Sequence, residues 1–122
     1  MNHYNKVVAV DFDNTLFETV YPRIFDPILP VIDYCKMLQE QGWVLILWTC
    51  REGKDLVNAI SACERVGLKF DYVNENEPER IKAFGNDSRK IGADFYIDDR
   101  ALNVNDVPNL KTPCFFIPRG VV

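Results

Sequence analysis

Two acidic clusters carry the chemistry that this chain could do. The first is Asp11-Phe12-Asp13-Asn14-Thr15-Leu16, directly behind the apolar run of residues 7–10. Alternate side chains of an extended segment share a face, so Asp11 and Asp13 point one way and Phe12 the other. Two carboxylates that close repel each other unless a cation or a shared proton compensates. A hard, oxygen-seeking ion such as Mg²⁺ suits them, because it takes one or two carboxylates and leaves positions for water and phosphate. The second cluster is Asp98-Asp99, within Tyr96-Ile97-Asp98-Asp99-Arg100 and again behind an apolar strand. Alone, an Asp-Asp pair is as commonly a helix cap or a turn. Beside the first motif it reads as the other half of a metal site.

These residues need elements that deliver them to one place. Short apolar runs alternate with amphipathic stretches, the pattern of βαβ units on a parallel sheet. Strands are expected at 7–10, 43–48, 70–73, 95–97 and 114–117, the first a β-branched run suited to burial on both faces. A helix over 27–41 has Asp26 as its cap, Pro27 at its first position and Gly42 as its end. Its apolar residues Ile28, Val31, Ile32, Cys35 and Leu38 recur at helical spacing. A second helix over 54–66 places Leu56, Val57, Ile60 and Cys63 on one face and stops at Gly67. Residues 18–25 are a loop or small flap, since Pro22 opposes a long helix there. Residues 78–84 form a short helix-like stretch.

The fold class is therefore α/β: a single Rossmann-like domain whose parallel sheet of about five strands is flanked by helices. Such sheets place ligands beyond the carboxyl ends of their strands. Asp11, Asp13, Thr49 and Asp98-Asp99 should thus converge on one edge.

Composition narrows the function further. A chain of 122 residues fits one domain and leaves no room for a large cap or a separate substrate domain. Its 48% hydrophobic and 26% charged residues suit a soluble, core-forming protein. A net charge of −4 gives no basic footprint for nucleic acid and weighs against an anionic membrane surface. Cys35, Cys50, Cys63 and Cys114 form no CxxC pair and read as small buried hydrophobes in a reducing compartment. The apolar run before Asp11 is only four residues long, too short for a signal peptide, and no run approaches a membrane span. A cytoplasmic location is expected. His3 stands alone near the chain end, and Trp43 and Trp48 read as core packing.

At this point the residues resemble a known family. Asp11-Phe-Asp-Asn-Thr-Leu is similar to the first motif of the haloacid dehalogenase (HAD) superfamily. Thr49, closing Val-Leu-Ile-Leu-Trp, matches the second motif, and Asp98-Asp99 matches the fourth. A response-regulator receiver has similar ingredients in a different order, with its acidic pair after the first strand and its Thr and Lys later. The resemblance covers about residues 6–105.

The resemblance implies a small, capless, Mg²⁺-dependent phosphatase. Asp11 would attack phosphorus, and Asp13 would serve as general acid and then general base. Asp11, Asp98 and the main-chain carbonyl of Asp13 would hold Mg²⁺, with Asp99 supporting them. Thr49 would hydrogen-bond a phosphoryl oxygen, and Asn14 would face the substrate. Arg51, two residues after Thr49, sits by position at the same edge, where it either contacts the substrate or is a surface loop residue. The third motif needs a lysine, either Lys82 or Lys90. Asp87-Ser88-Arg89-Lys90 followed by Tyr-Ile-Asp-Asp-Arg resembles the phosphatase half of polynucleotide kinase-phosphatases and small bacterial and phage HAD hydrolases, which favours Lys90. Asn74-Glu75-Asn76 would lie on the same edge.

A site without a cap implies either a bulky substrate or closure by a second subunit of a homo-oligomer. The substrate expected is a phosphorylated small molecule. The alternative is a non-catalytic phosphate-binding or phosphotransfer module on the same fold. The presence of Asp13 argues against that alternative and against dehalogenation.

Overall fold

The computed structural model describes residues 5–101. The expected strand at 114–117, with Cys114, and His3 lie outside the described residues. Six strands are present among those described: β1 (Val7–Val10), β2 (Phe17–Val20), β3 (Arg23–Pro27), β4 (Val44–Leu47), β5 (Tyr72–Val73) and β6 (Phe95–Ile97). The helices are α1 (Leu29–Glu40), α2 (Gly53–Arg65) and α3 (Pro78–Phe84). Four strands form a sheet in the order β5-β4-β1-β6, and every pairing in it is parallel. The protein is thus α/β with a parallel sheet and three helices among the described residues. None of those helices is long and apolar enough to cross a membrane.

The sheet is buried on both faces where β1 runs. Val8, Val10, Leu45 and Leu47 face one way and join Ile32, Cys35 and Leu38 of α1 with Ala59, Ala62 and Cys63 of α2. Val7, Ala9 and Ile46 face the other way, onto Ile91. Burying each such aliphatic side chain stabilises the fold by roughly 1.5–3 kcal/mol, so the unbroken Val-Val-Ala-Val run fixes β1 at the centre. Trp43 and Trp48 are half-buried at opposite faces, packed on Phe95 and Tyr96 with ring centroids 5.0 and 5.4 Å apart.

Several expectations need correction. Helix α1 begins at Leu29, not at 27, because Pro27 ends β3 and Pro30 takes an early helical position. Its cap is Ile28, with no side-chain cap bond, so Asp26 does not cap it. The segment expected as a loop or small flap is an antiparallel hairpin, β2–β3, in which Phe17 and Thr19 point inward and Glu18 and Val20 outward. Val57 is exposed, while the other expected residues of that face hold: Cys63 is buried and Leu56 and Ile60 pack against the core, with Ala59 and Ala62 beside them. Cys50 is exposed, unlike Cys35 and Cys63.

The carboxyl ends of the four parallel strands are in register. The Trp48 amide donates to the Val10 carbonyl, Asn74 to Leu47, and Asp11 to Ile97, at 2.7–2.9 Å. The first residues past β1, β4, β5 and β6 therefore share one edge.

Candidate functional site

That edge holds a cavity of about 400 Å³. Asp11, Asp13, Thr49, Asp98 and Asp99 all line it, as the strand order required. Asn14, Thr19, Tyr21, Cys50, Arg51 and Arg100 complete the wall. Phe12 points away into the core and is fully buried, as alternation demands.

The carboxylates divide into two groups. Asp11, Asp98 and Asp99 each offer an oxygen, and these oxygens lie within 4.8 Å of one another. Burial first, and then the negative charge of Asp98, push the Asp11 carboxyl up to about 7. Thr15 links the two loops that carry them: its hydroxyl donates to Asp11 Oδ2 at 3.2 Å and accepts the Asp99 amide at 3.0 Å. The Arg100 amide closes a turn onto Asp98 Oδ1 at 2.9 Å.

Asp13 belongs to the other group. Arg51 grips it with two hydrogen bonds, Nε to Oδ2 at 2.9 Å and Nη2 to Oδ1 at 2.7 Å, and the Thr19 hydroxyl adds a third at 2.8 Å. Burial acts to raise the Asp13 carboxyl, but the Arg51 and Thr19 bonds outweigh it and hold the group below its ordinary value. The compensating charge that Asp13 required is therefore supplied by this guanidinium.

Arg51 itself is only 2% exposed. Its guanidinium lies 4.9 Å from the ring centroids of both Phe12 and Tyr21, and Nη1 reaches the carbonyls of Pro22 and Asp55. Its place two residues past Thr49 allows Arg51 either a substrate contact or a surface loop position. In the structure it is spent on Asp13, on the hairpin turn and on the start of α2. Asn14 is likewise engaged locally: it adopts a left-handed φ of 56°, which Asn tolerates, and its Oδ1 accepts the Thr19 amide at 3.0 Å.

Thr49 reaches the edge through two loop bonds. Its amide donates to Asn74 Oδ1 at 2.8 Å, and its hydroxyl accepts the Arg51 amide at 3.1 Å. Asn74 thus supports Thr49, and Asn76 is buried in bonds to Asp87, Ser88 and Gly92; neither they nor Glu75 line the cavity. Neither Lys82 nor Lys90 lines it either. Lys90 lies with its ammonium 5.1 Å over the Tyr96 ring, which packs on Trp48, the residue before Thr49. Lys82 is on α3.

Thr15, Thr19, Tyr21 and Arg100 are the parts of the site to which the sequence assigned no role, whereas Asp99 had a supporting one. Thr15 had a signal, its place in Asp-x-Asp-x-Thr. Thr19 and Tyr21 had none, because their roles depend on how the hairpin folds back.

No family model matches the chain, and no curated protein matches it. Among solved structures, a conserved protein of Bacteroides thetaiotaomicron is similar over 87% of this chain and 84% of its own, with 42% sequence identity and a TM-score of 0.68. The chain belongs to the same family as that conserved protein.

Proposed function

We propose that the protein is a Mg²⁺-dependent phosphatase of the HAD type, hydrolysing a phosphomonoester by way of an aspartyl-phosphate on Asp11. The observation that carries this reading is the meeting of Asp11 with Asp98 and Asp99 beside Thr49 at the carboxyl edge of a parallel sheet. The donor set is all oxygen, as a hard divalent cation prefers, and burial with the charge of Asp98 raises the Asp11 carboxyl. Asp11 and Asp98 would hold Mg²⁺ with the Asp13 carbonyl, and Asp99 would support them. Bound there, the ion supplies charge neutralisation and orientation of the phosphoryl oxygens.

In the first half-reaction an Asp11 oxygen bonds to phosphorus while the bond from phosphorus to the leaving oxygen breaks. Thr49 donates a hydrogen bond to a phosphoryl oxygen, and Lys90 adds positive charge from the loop beside Tyr96. In the second, a water oxygen attacks phosphorus, Asp13 takes a proton from that water, and the Asp11 carboxylate is restored. The ionised Asp13 suits this second step. Giving a proton to the leaving oxygen requires that Asp13 first be protonated, which its Arg51 and Thr19 bonds oppose.

The cavity is open and the chain acidic, which favours a phosphorylated small molecule over nucleic acid, with a homo-oligomer as the means of closing the site. Two observations favour the alternative of a non-catalytic phosphate-binding or phosphotransfer module: both oxygens of Asp13 are engaged, and no lysine among the described residues lines the cavity. Turnover decides between them. Release of p-nitrophenol from its phosphate ester in Mg²⁺, stopped by EDTA and restored by excess Mg²⁺, is the expected result. Binding of inorganic phosphate without turnover in any divalent metal would establish the module instead.

A further inference from the structure

The phosphatase reading needs Asp13 aimed at the cavity, and the contacts around Arg51 say what aims it. We propose that Arg51 is a positioning residue that holds the Asp13 carboxylate in one orientation and ties that orientation to the seating of the β2–β3 hairpin. This inference deepens the phosphatase reading and rests on it for its kinetic half.

The geometry is that of a fork. A guanidinium presents parallel N–H groups that match both oxygens of a carboxylate, so a two-bond contact fixes rotation as well as distance. Arg51 makes that contact from a nearly dry position between two aromatic faces, Phe12 in the core and Tyr21 on the hairpin turn. Phe12 precedes Asp13, so the same cation packs on one residue and pairs with the next.

The other half of the guanidinium engages the hairpin. Nη1 donates to the Pro22 carbonyl at 3.2 Å and to the Asp55 carbonyl at 3.4 Å. The Tyr21 hydroxyl donates to Asp55 Oδ2 at 2.8 Å, closing a ring of contacts among the hairpin turn, Arg51 and the start of α2. From β2, Thr19 bonds Asp13 directly. Lifting the hairpin turn would therefore break contacts to Arg51 and Asp13 together. Four of the five guanidinium N–H groups of Arg51 are bonded to protein acceptors, which is why its effect should pass through Asp13.

The test compares Arg51→Lys and Tyr21→Phe with the unaltered protein. Lysine keeps the charge but loses the fork. Three measurements are made: turnover of p-nitrophenyl phosphate in Mg²⁺, affinity for inorganic phosphate by calorimetry, and hydrogen–deuterium exchange of residues 17–27. Arg51→Lys should lower kcat on the order of 10²-fold, the scale of a misplaced catalytic group, while phosphate affinity and KM stay close to those of the unaltered protein. Residues 17–27 should exchange faster in both variants.

A fall in phosphate affinity that matches the fall in activity would make Arg51 a substrate contact and overturn the proposal. So would unchanged kcat with unchanged exchange. If Arg51→Lys does not fold, Tyr21→Phe decides by the same criteria, with a smaller loss of kcat expected. If the unaltered protein has no turnover, the phosphatase reading fails by itself. Exchange then decides the coupling alone: faster exchange of 17–27 in the variants sustains it, and unchanged exchange overturns it.

Discussion

Asp99 donates its main-chain N–H to the Thr15 hydroxyl at 3.0 Å, a hydrogen bond between residues 84 positions apart. The Thr15 hydroxyl in turn donates a hydrogen bond to Asp11 Oδ2. One buried hydroxyl thus fixes the distance between the loop after β1 and the loop after β6. Replacing Thr15 with Val keeps the shape and removes both bonds. The expected cost is about 1–3 kcal/mol, the usual penalty for stranding a partly buried polar group. Urea denaturation would measure it, and a Mg²⁺ titration of the folded variant should show weaker binding. Equal stability and equal metal affinity would remove Thr15 from the site.

The pH dependence of stability follows from the two aspartates. Asp11 titrates higher in the folded protein than in the unfolded chain, so between the ordinary value near 3.8 and about 7 the folded state holds more protons. Stability of the metal-free protein should fall as pH rises through that window. Asp13 has the opposite sign: its stabilisation is present above the ordinary value and lost below it. Thermal melts in EDTA should therefore show a lower Tm at pH 8 than at pH 5. Saturating Mg²⁺ should raise Tm most at pH 8, where Asp11 is ionised. A metal-free Tm that rose from pH 5 to pH 8 would contradict this electrostatic picture.

Removing Asp13 separates its two roles. Asp13→Ala leaves the buried Arg51 guanidinium without its anion, a kind of loss that typically costs about 3–5 kcal/mol, toward the low end here because Asp13 keeps 26% of its side chain exposed. Asp13→Asn keeps one acceptor oxygen and should cost less. Both should lower kcat by at least the roughly 10²-fold attributed to acid–base catalysis. If Asp13→Asn kept normal turnover, water activation would have to come from another group.

The source of positive charge is open to direct comparison. On the proposed reading Lys90→Ala lowers kcat/KM by about ten-fold or more, the scale on which a charge-assisted contact acts, and Lys82→Ala leaves it near normal. Arg100→Gln is the informative control, because Arg100 lines the cavity and neither lysine does. Steady-state kinetics with all three variants would show whether the charge comes from the loop before β6 or the one after it.

Much of this edge could be read from the chain. Strands β1 and β6 and helix α3 fall where the apolar runs and flanking residues place them, and Gly42 and Gly67 follow their helices with the left-handed φ that glycine permits. The convergence of Asp11, Thr49 and Asp98 needed only the rule that parallel strands share a carboxyl edge. What could not be read was the partner of each side chain. Arg51 is two residues past Thr49 and could as easily have faced solvent. Its burial depends on a hairpin whose strands carry a mixed apolar and polar pattern with Pro22 between them. The start of α1 was misplaced for a similar reason, since Pro27 suits either a helical first turn or an edge strand and only pairing with Phe17 decides it. Local signals placed the residues that do chemistry; long-range packing chose which of them hold one another.

The most direct test of the whole account is turnover by Asp11→Asn. The change keeps the side chain's size and should leave the fold intact, as circular dichroism would verify. Measured with p-nitrophenyl phosphate in Mg²⁺ beside the unaltered protein, it should lose at least roughly 10³-fold in kcat, as removal of a covalent nucleophile does. A folded Asp11→Asn protein that turned the ester over at near-normal rate would contradict Asp11 as the phosphate acceptor.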